Sequence, residues 1–158
     1  MKRRAEYLIV GSSAAGMAAA EELRRRDAGA GITVLGDEPE MPYSRILLTQ
    51  YVAGRIEKEK LFWRDEAWFK KQKIEIALNA RAVSLDAKNK IISTELGDKI
   101  EYVKLLIAAG VRPRQLSVRG ADIFYLWNLA DAEKILKKFR EIKPRRAAVI
   151  GGGFIGLE

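Results

Sequence analysis

Tyr7-Leu8-Ile9-Val10-Gly11-Ser12-Ser13-Ala14-Ala15-Gly16 is the stretch on which the fold of this 158-residue chain turns. Residues 7–10 are short, apolar and partly β-branched, and they run into a glycine, which reads as a buried strand. Ala14 to Arg26 reads as a helix, alanine-rich at its start, with Arg24, Arg25 and Arg26 where cations complement the C-terminal dipole. Gly29 and Gly31 end it, and Ile32-Thr33-Val34-Leu35 supplies a second strand. Strand, helix and strand within about thirty residues make a βαβ unit, which implies a parallel sheet.

The turn inside that unit carries chemistry. Gly11 to Gly16 has the spacing G-x-G-x-x-G, with Ser13 in place of the middle glycine. Gly11 allows a tight turn, and Gly16 lets the helix pack closely on the strand. The helix N-terminus then offers unpaired N–H groups and a positive dipole to a pyrophosphate. Ser13 adds a β-carbon where close approach is wanted, and its hydroxyl is a donor in exchange. Asp37 and Glu38 follow about twenty residues after Gly16, at the tip of the second strand, where a carboxylate accepts from ribose hydroxyls. The plain alternative is a glycine-rich turn with solvated carboxylates.

Working outward, Gly36 to Pro42 is a loop, Arg45 to Gly54 a short helix, and Asp65 to Lys71 a helix capped by Asp65. Ile74–Ala77, Ala80–Leu85, Lys90–Thr94 and Leu105–Ala108 read as strands at hairpin spacing. Composition shifts around Gly110 to Gly120 toward a linker. Asn128 is placed to cap a helix over 129–142, with Asp131 at the capping-box position. Ala132, Ile135, Leu136, Phe139 and Ile142 share one face of it, and Pro144 stops it. Ala147 to Ile150 starts a new strand, followed by Gly151-Gly152-Gly153-Phe154-Ile155-Gly156, a second fingerprint with every glycine in place. No residues remain for the helix it should open, so here it reads as the beginning of a site rather than a working one.

The chain has neither cysteine nor histidine, which excludes dithiol relays, thiol nucleophiles, Ser-His-Asp triads and His or Cys metal centres; a metal would have only oxygen ligands. No apolar run of about 18 residues is present, so no membrane span is expected. Lys2-Arg3-Arg4 before the first strand lacks a secretory apolar region, and the expected location is the cytoplasm. The net charge is +8. Lys137, Lys138, Arg140, Lys143, Arg145 and Arg146 cluster against Glu141, and this reads as a solvated helix face in preference to a patch for an acidic partner or nucleic acid. Phe62, Trp63, Trp68 and Phe69 read as packing on the sheet in preference to a base-stacking surface.

Two fingerprints separated by a β-rich segment resemble the FAD-dependent pyridine nucleotide-disulfide oxidoreductases, and the resemblance covers essentially the whole chain. It is carried by Leu8–Gly16, by Asp37-Glu-Pro-Glu-Met-Pro-Tyr-Ser-Arg45, by Leu106-Ile-Ala-Ala-Gly-Val-Arg-Pro-Arg114, and by Val149–Glu158. The Pro-Tyr-x-Arg-x-x-Leu stretch is similar to the branch holding rubredoxin and ferredoxin reductases, the flavin-binding half of NADH-dependent nitrite reductases, and NADH oxidases. The disulfide-using branches carry cysteines near this region; here it reads Ser44-Arg45-Ile46-Leu47-Leu48-Thr49.

The resemblance implies an α/β, Rossmann-like FAD-binding domain, a parallel sheet plus β-meander. The domain is incomplete and is followed by the first strand of a second dinucleotide-binding domain. The implied boundaries are 1–113 for the FAD-binding part, 114–146 for a linker and connecting helix, and 147–158 for the start of the NAD(P) domain. It implies that Ser12 to Ala15 hold the FAD pyrophosphate and that Gly36 and Asp37 meet the adenosine ribose. Arg45 would reach the pyrophosphate or adenine side, a surface cation being the alternative. Val83 would contact adenine through its backbone, although its apolar character alone reads as core packing. Ala109 and Gly110 would lie along the cofactor, and Glu158 near the isoalloxazine. Gln50 stands where some relatives have a lysine, which alters that flavin-side pairing.

The implied function is the N-terminal part of an FAD-dependent oxidoreductase. It would pass hydride from NAD(P)H to FAD, and electrons on to a redox protein or small acceptor. The chain would be catalytically incomplete alone. The alternative is a non-catalytic nucleotide-binding or assembly module that needs a complementary subunit or self-associates through an incomplete sheet. A nucleic-acid binder ranks third.

Overall fold

The computed structural model describes residues 2–117, 122–143 and 146–153. The chain divides into two compact units, one formed by Met1–Tyr43 with Phe62–Gly110, the other by Ser44–Leu61 with Val111–Glu158.

The first unit contains strands β1 (Lys2–Val10), β2 (Ile32–Leu35), β3 (Ile74–Ala77), β4 (Ala82–Asp86), β5 (Ile91–Thr94) and β6 (Lys99–Ile107), with helices α1 (Ala14–Arg26) and α3 (Glu66–Gln72). Among the described residues they form one sheet in the order β3-β2-β1-β6-β5-β4. The β3-β2-β1-β6 half is parallel, and β6-β5-β4 is an antiparallel meander. This is the Rossmann-type parallel sheet with meander that the sequence led us to expect.

Strand β1 lies between β2 and β6, and at Leu8–Ile9 it is buried on both faces. Ile9 joins Met17, Ala20, Ile32, Val34, Phe69 and Ile74 on the helical side. Its neighbour Leu8 joins Ala5, Leu35, Ile92 and Ile100 in a separate cluster, as alternation along a strand requires. Trp63 and Trp68 pack against the first cluster and Phe69 lies within it, so these three aromatics are packing, while Phe62 meets the Tyr43 ring edge-on. Asp65 caps α3 by accepting from the Trp68 N–H at 2.8 Å.

Two strands are longer than their apolar runs suggest. β1 begins at Lys2 and β6 at Lys99, because Lys2–Ala5 pair in register with Lys99–Tyr102. The ladder sustains an extended backbone through charged residues whose side chains carry no strand periodicity. Strand β4 begins two residues later than expected, since the Ala80 N–H is committed to the Gly36 carbonyl at 2.7 Å.

At the end of α1, Glu22 accepts from Arg25 and Arg26. Hydrogen bonds from Arg25, then from Arg26, hold its carboxyl well below the usual range, at about 2. A depressed folded-state value stabilises the fold above the unfolded-state pKa, and the contribution is lost as pH falls through the folded one. The expected result is a Glu22 side-chain NMR titration with a midpoint near 2, and loosening of the last α1 turn only below about pH 4. A midpoint near 4.5, the ordinary value, would show that this arginine pair does not hold the carboxylate in solution.

The second unit contains a 3₁₀ turn (Arg45–Leu47), α2 (Leu48–Val52), another 3₁₀ turn (Lys58–Leu61) and α4 (Leu129–Ile142). Arg45–Gly54, expected as one helix, is therefore a 3₁₀ entry followed by five α-helical residues. Helix α4 has the expected boundaries and a complete capping box: Asn128 accepts from the Asp131 N–H at 2.8 Å, and Asp131 accepts from the Asn128 N–H. Lys138 pairs with Asp122 at 2.7 Å and Lys137 with Glu141 at 3.9 Å, so the basic cluster has more acidic company than Glu141; Arg145 lies outside the described residues.

The strand expected at Ala147–Ile150 is not formed: those residues belong to no ladder, and Val149 and Ile150 are exposed. An apolar β-branched run becomes a strand only where a partner backbone accepts its hydrogen bonds. Among the described residues no helix is long and apolar enough to cross a membrane.

Candidate functional site

The carboxyl ends of β1, β2 and β6 come together, since Val10 lies opposite both Leu35 and Ile107 in parallel register. In open α/β sheets the crevice beyond such strand ends is where ligands bind. Gly11, Gly36 and Ala108 leave the sheet side by side. The Gly11 N–H donates to the Leu35 carbonyl at 2.8 Å, and the Ala108 N–H to the Val10 carbonyl at 2.7 Å.

Both outer glycines of the fingerprint are required by this geometry. Gly11 has φ +116°, and a side chain there would strike the Ala108 carbonyl, coming within 2.6 Å of its carbon. A side chain at Gly16 would strike the Gly11 carbonyl oxygen and lie 2.9 Å from its carbon. Helix α1 is thus seated directly on the backbone of its own turn. Ser13 is extended, at φ −90° and ψ −167°, a conformation any residue adopts. The missing middle glycine therefore costs the turn no strain.

Ser13 opens α1 by accepting from the Met17 N–H at 2.9 Å, and its hydroxyl does not cap the helix. Among the described residues, no acceptor is paired with the amides of Ser12, Ser13, Ala14, Ala15 or Gly16. Ala14 and Ala15 are exposed, and α1 is 13 residues long, enough to present a full positive dipole end. Bare amides, two serine hydroxyls and a helix dipole are a donor set that fits a diphosphate.

The other expected residues distribute as follows. Asp37 is exposed just past β2, whereas Glu38 is half-buried and accepts from the Tyr43 hydroxyl at 2.5 Å. Sequence reading missed that partnership, although Tyr43 sits in the quoted Pro-Tyr-x-Arg stretch. Val83 is 58% exposed, which corrects the core-packing alternative. It lies at the register shift between Ala82 and Ser84, where a bulge takes its backbone out of the ladder. Ala109 and Gly110 follow β6 and are exposed, with Gly110 at φ +66°. Ala108, which no pattern singled out, supplies the carbonyl that closes over Gly11.

Arg45 lies in the second unit. It donates to the Trp127 carbonyl at 2.7 Å and stacks 4.9 Å above that indole ring, so it is held by packing rather than left as a loose surface cation. In the second fingerprint Gly151 has φ +111°, close to the +116° of Gly11. Gly156 and Glu158 lie outside the described residues.

Residues 5–158 match the family model described as pyridine nucleotide-disulphide oxidoreductase. The ferredoxin–NAD(+) reductase component of the anthranilate 1,2-dioxygenase system from Burkholderia cepacia is 35% identical over 156 residues, 96% of this chain and 38% of that protein. The crystal structure of NADH:rubredoxin oxidoreductase from Clostridium acetobutylicum superposes with a TM-score of 0.89 at 30% identity, over 98% of this chain and 40% of that one. A chain of the crystal structure of the covalent putidaredoxin reductase–putidaredoxin complex gives 0.84 at 28%, over 97% and 38%. The chain thus spans about two fifths of the length of these relatives.

Proposed function

This chain belongs to the pyridine nucleotide-disulphide oxidoreductase family, and on that premise we propose that it is the FAD-binding part of an NAD(P)H-dependent oxidoreductase acting on an electron-transfer protein. Relatives in this family are FAD- and NAD(P)H-dependent. Bound FAD supplies hydride acceptance and onward electron transfer. The chain's own residues supply binding and orientation. Ser12 to Ala15, between Gly11 and Gly16, hold the diphosphate, and Gly36, Asp37 and Glu38 line the ribose side. The Val83 backbone is assigned to adenine, and Ala109 and Gly110 to the flavin side. Its electron acceptor is a small redox protein of the ferredoxin or rubredoxin kind, and its location the cytoplasm.

The observation that carries this reading is the run of unpaired amides from Ser12 to Gly16 at the start of α1. Calorimetric titration tests it. FAD should bind at least about tenfold more tightly than riboflavin, which lacks the diphosphate and adenosine. Equal affinity for the two would overturn it.

A second reading, a module completed by another polypeptide, is favoured by β6. On β6, only Lys99–Glu101 stand in register with β5, and beyond them Val103, Leu106 and Ile107 are 42%, 40% and 61% exposed. An apolar strand of this kind is normally covered. FAD binding that appears only when a polypeptide matching the rest of a relative is supplied would select this reading.

A further inference from the structure

We propose that Gly36 is a positioning residue: by lacking a side chain it holds Ser12 in place in the diphosphate turn. This rests on the reading of residues 11–16 as an FAD site. Nothing in the conformation of Gly36 itself calls for glycine, since its φ lies outside the left-handed region. Its N–H donates to the Ala77 carbonyl at 2.9 Å and its carbonyl accepts from Ala80 at 2.7 Å, bonds any residue could make. The reason for glycine is the neighbour. A β-carbon at position 36 would lie 2.6 Å from Ser12 Oγ and 3.2 Å from Ser12 Cβ; the next atom, Leu78 Cδ2, is at an ordinary 3.7 Å.

Neither side yields freely. Position 36 is clamped by its two backbone bonds, and the turn is fixed at Gly11 by Leu35 and Ala108 and at Gly16 by the Gly11 carbonyl. An added methyl group therefore turns the Ser12 hydroxyl into another rotamer and shifts the Ser12 backbone, whose amide is one of the unpaired donors. The two residues are 24 positions apart in sequence but share a wall, because β1 and β2 are adjacent and parallel. The expected signature is coupling between them, with FAD affinity as the readout.

The test is a double-mutant cycle on the 158-residue chain, with FAD affinity from calorimetry and Tm for each variant. Gly36→Ala should weaken FAD binding about tenfold in the Ser12 background, and less than about threefold when Ser12→Gly has removed both crowded atoms. Gly36→Ala that binds FAD like the wild type, or that weakens it equally in both backgrounds, overturns the proposal. So does a Tm loss above roughly 10 °C for Gly36→Ala in both backgrounds, which marks position 36 as merely structural. Absence of FAD binding by the unmutated chain, both alone and with the complementary polypeptide supplied, would instead overturn the site reading on which the proposal stands.

Discussion

Gly16→Ala is expected to destabilise the chain by about 3 kcal/mol, lowering Tm by roughly 10 °C, and to abolish measurable FAD binding. The new methyl group would meet the Gly11 carbonyl, with its carbon at 2.9 Å and the Ile9 side chain at 3.4 Å. Backbone cannot rotate aside as a side-chain tip can, so α1 must lift away from β1. That lift separates Met17 and Ala20 from Ile9, Ile32 and Val34, and turns the helix N-terminus off its axis. Gly29→Ala is the control. It lies in the loop after α1, and a β-carbon there would have only Asp27 Oδ1 within reach, at 3.7 Å. It should change stability by less than about 0.5 kcal/mol. Thermal melts and FAD titrations of the two variants check this directly. A Gly16→Ala chain with unchanged Tm would refute the close seating of α1 on its turn.

Arg24→Ala is expected to cost about 3 kcal/mol, and Arg24→Lys about 2 kcal/mol, measured by urea denaturation. All five guanidinium donors are used, each on a backbone carbonyl. Nε reaches Gln72 at 2.7 Å, Nη1 reaches Asp27 at 3.0 Å and Ala28 at 2.8 Å, and Nη2 reaches Ala30 at 2.7 Å and Lys73 at 2.8 Å. These carbonyls belong to the ends of α1 and α3 and to the loop leading into β2. One cation therefore closes the negative ends of two helices and ties both to the entry of a core strand. Lysine has three donors and no planar fork, so it recovers only part of this. Arg25→Ala and Arg26→Ala, by contrast, should cost under about 1 kcal/mol each. Their side chains are 70% and 73% exposed and, among the described residues, bind only Glu22, whose own side chain is 44% exposed. Equal losses at all three positions would refute the assignment.

The three arginines show where sequence reading stops. That a cation belongs at the end of α1 follows from local rules, because the helix dipole and the run of apolar and small residues both act within a few turns. The βαβ unit, the α4 capping box and the Gly11–Gly16 turn were legible for the same reason: each is written in side chains close in sequence. Which arginine becomes the staple depends on where α3 ends relative to α1, and that was decided by the burial of Phe69 and Ile74 beside Met17 and Ile32. The candidate site divides in the same way. Its turn was readable from spacing, but the Ala108 carbonyl over Gly11, the Tyr43 hydroxyl on Glu38 and the Ser12 side chain against Gly36 were not. Strand order alone brings those groups together. Periodicity along a chain records which face a residue turns inward. It does not record which distant backbone will arrive there, and only the packed sheet settles that.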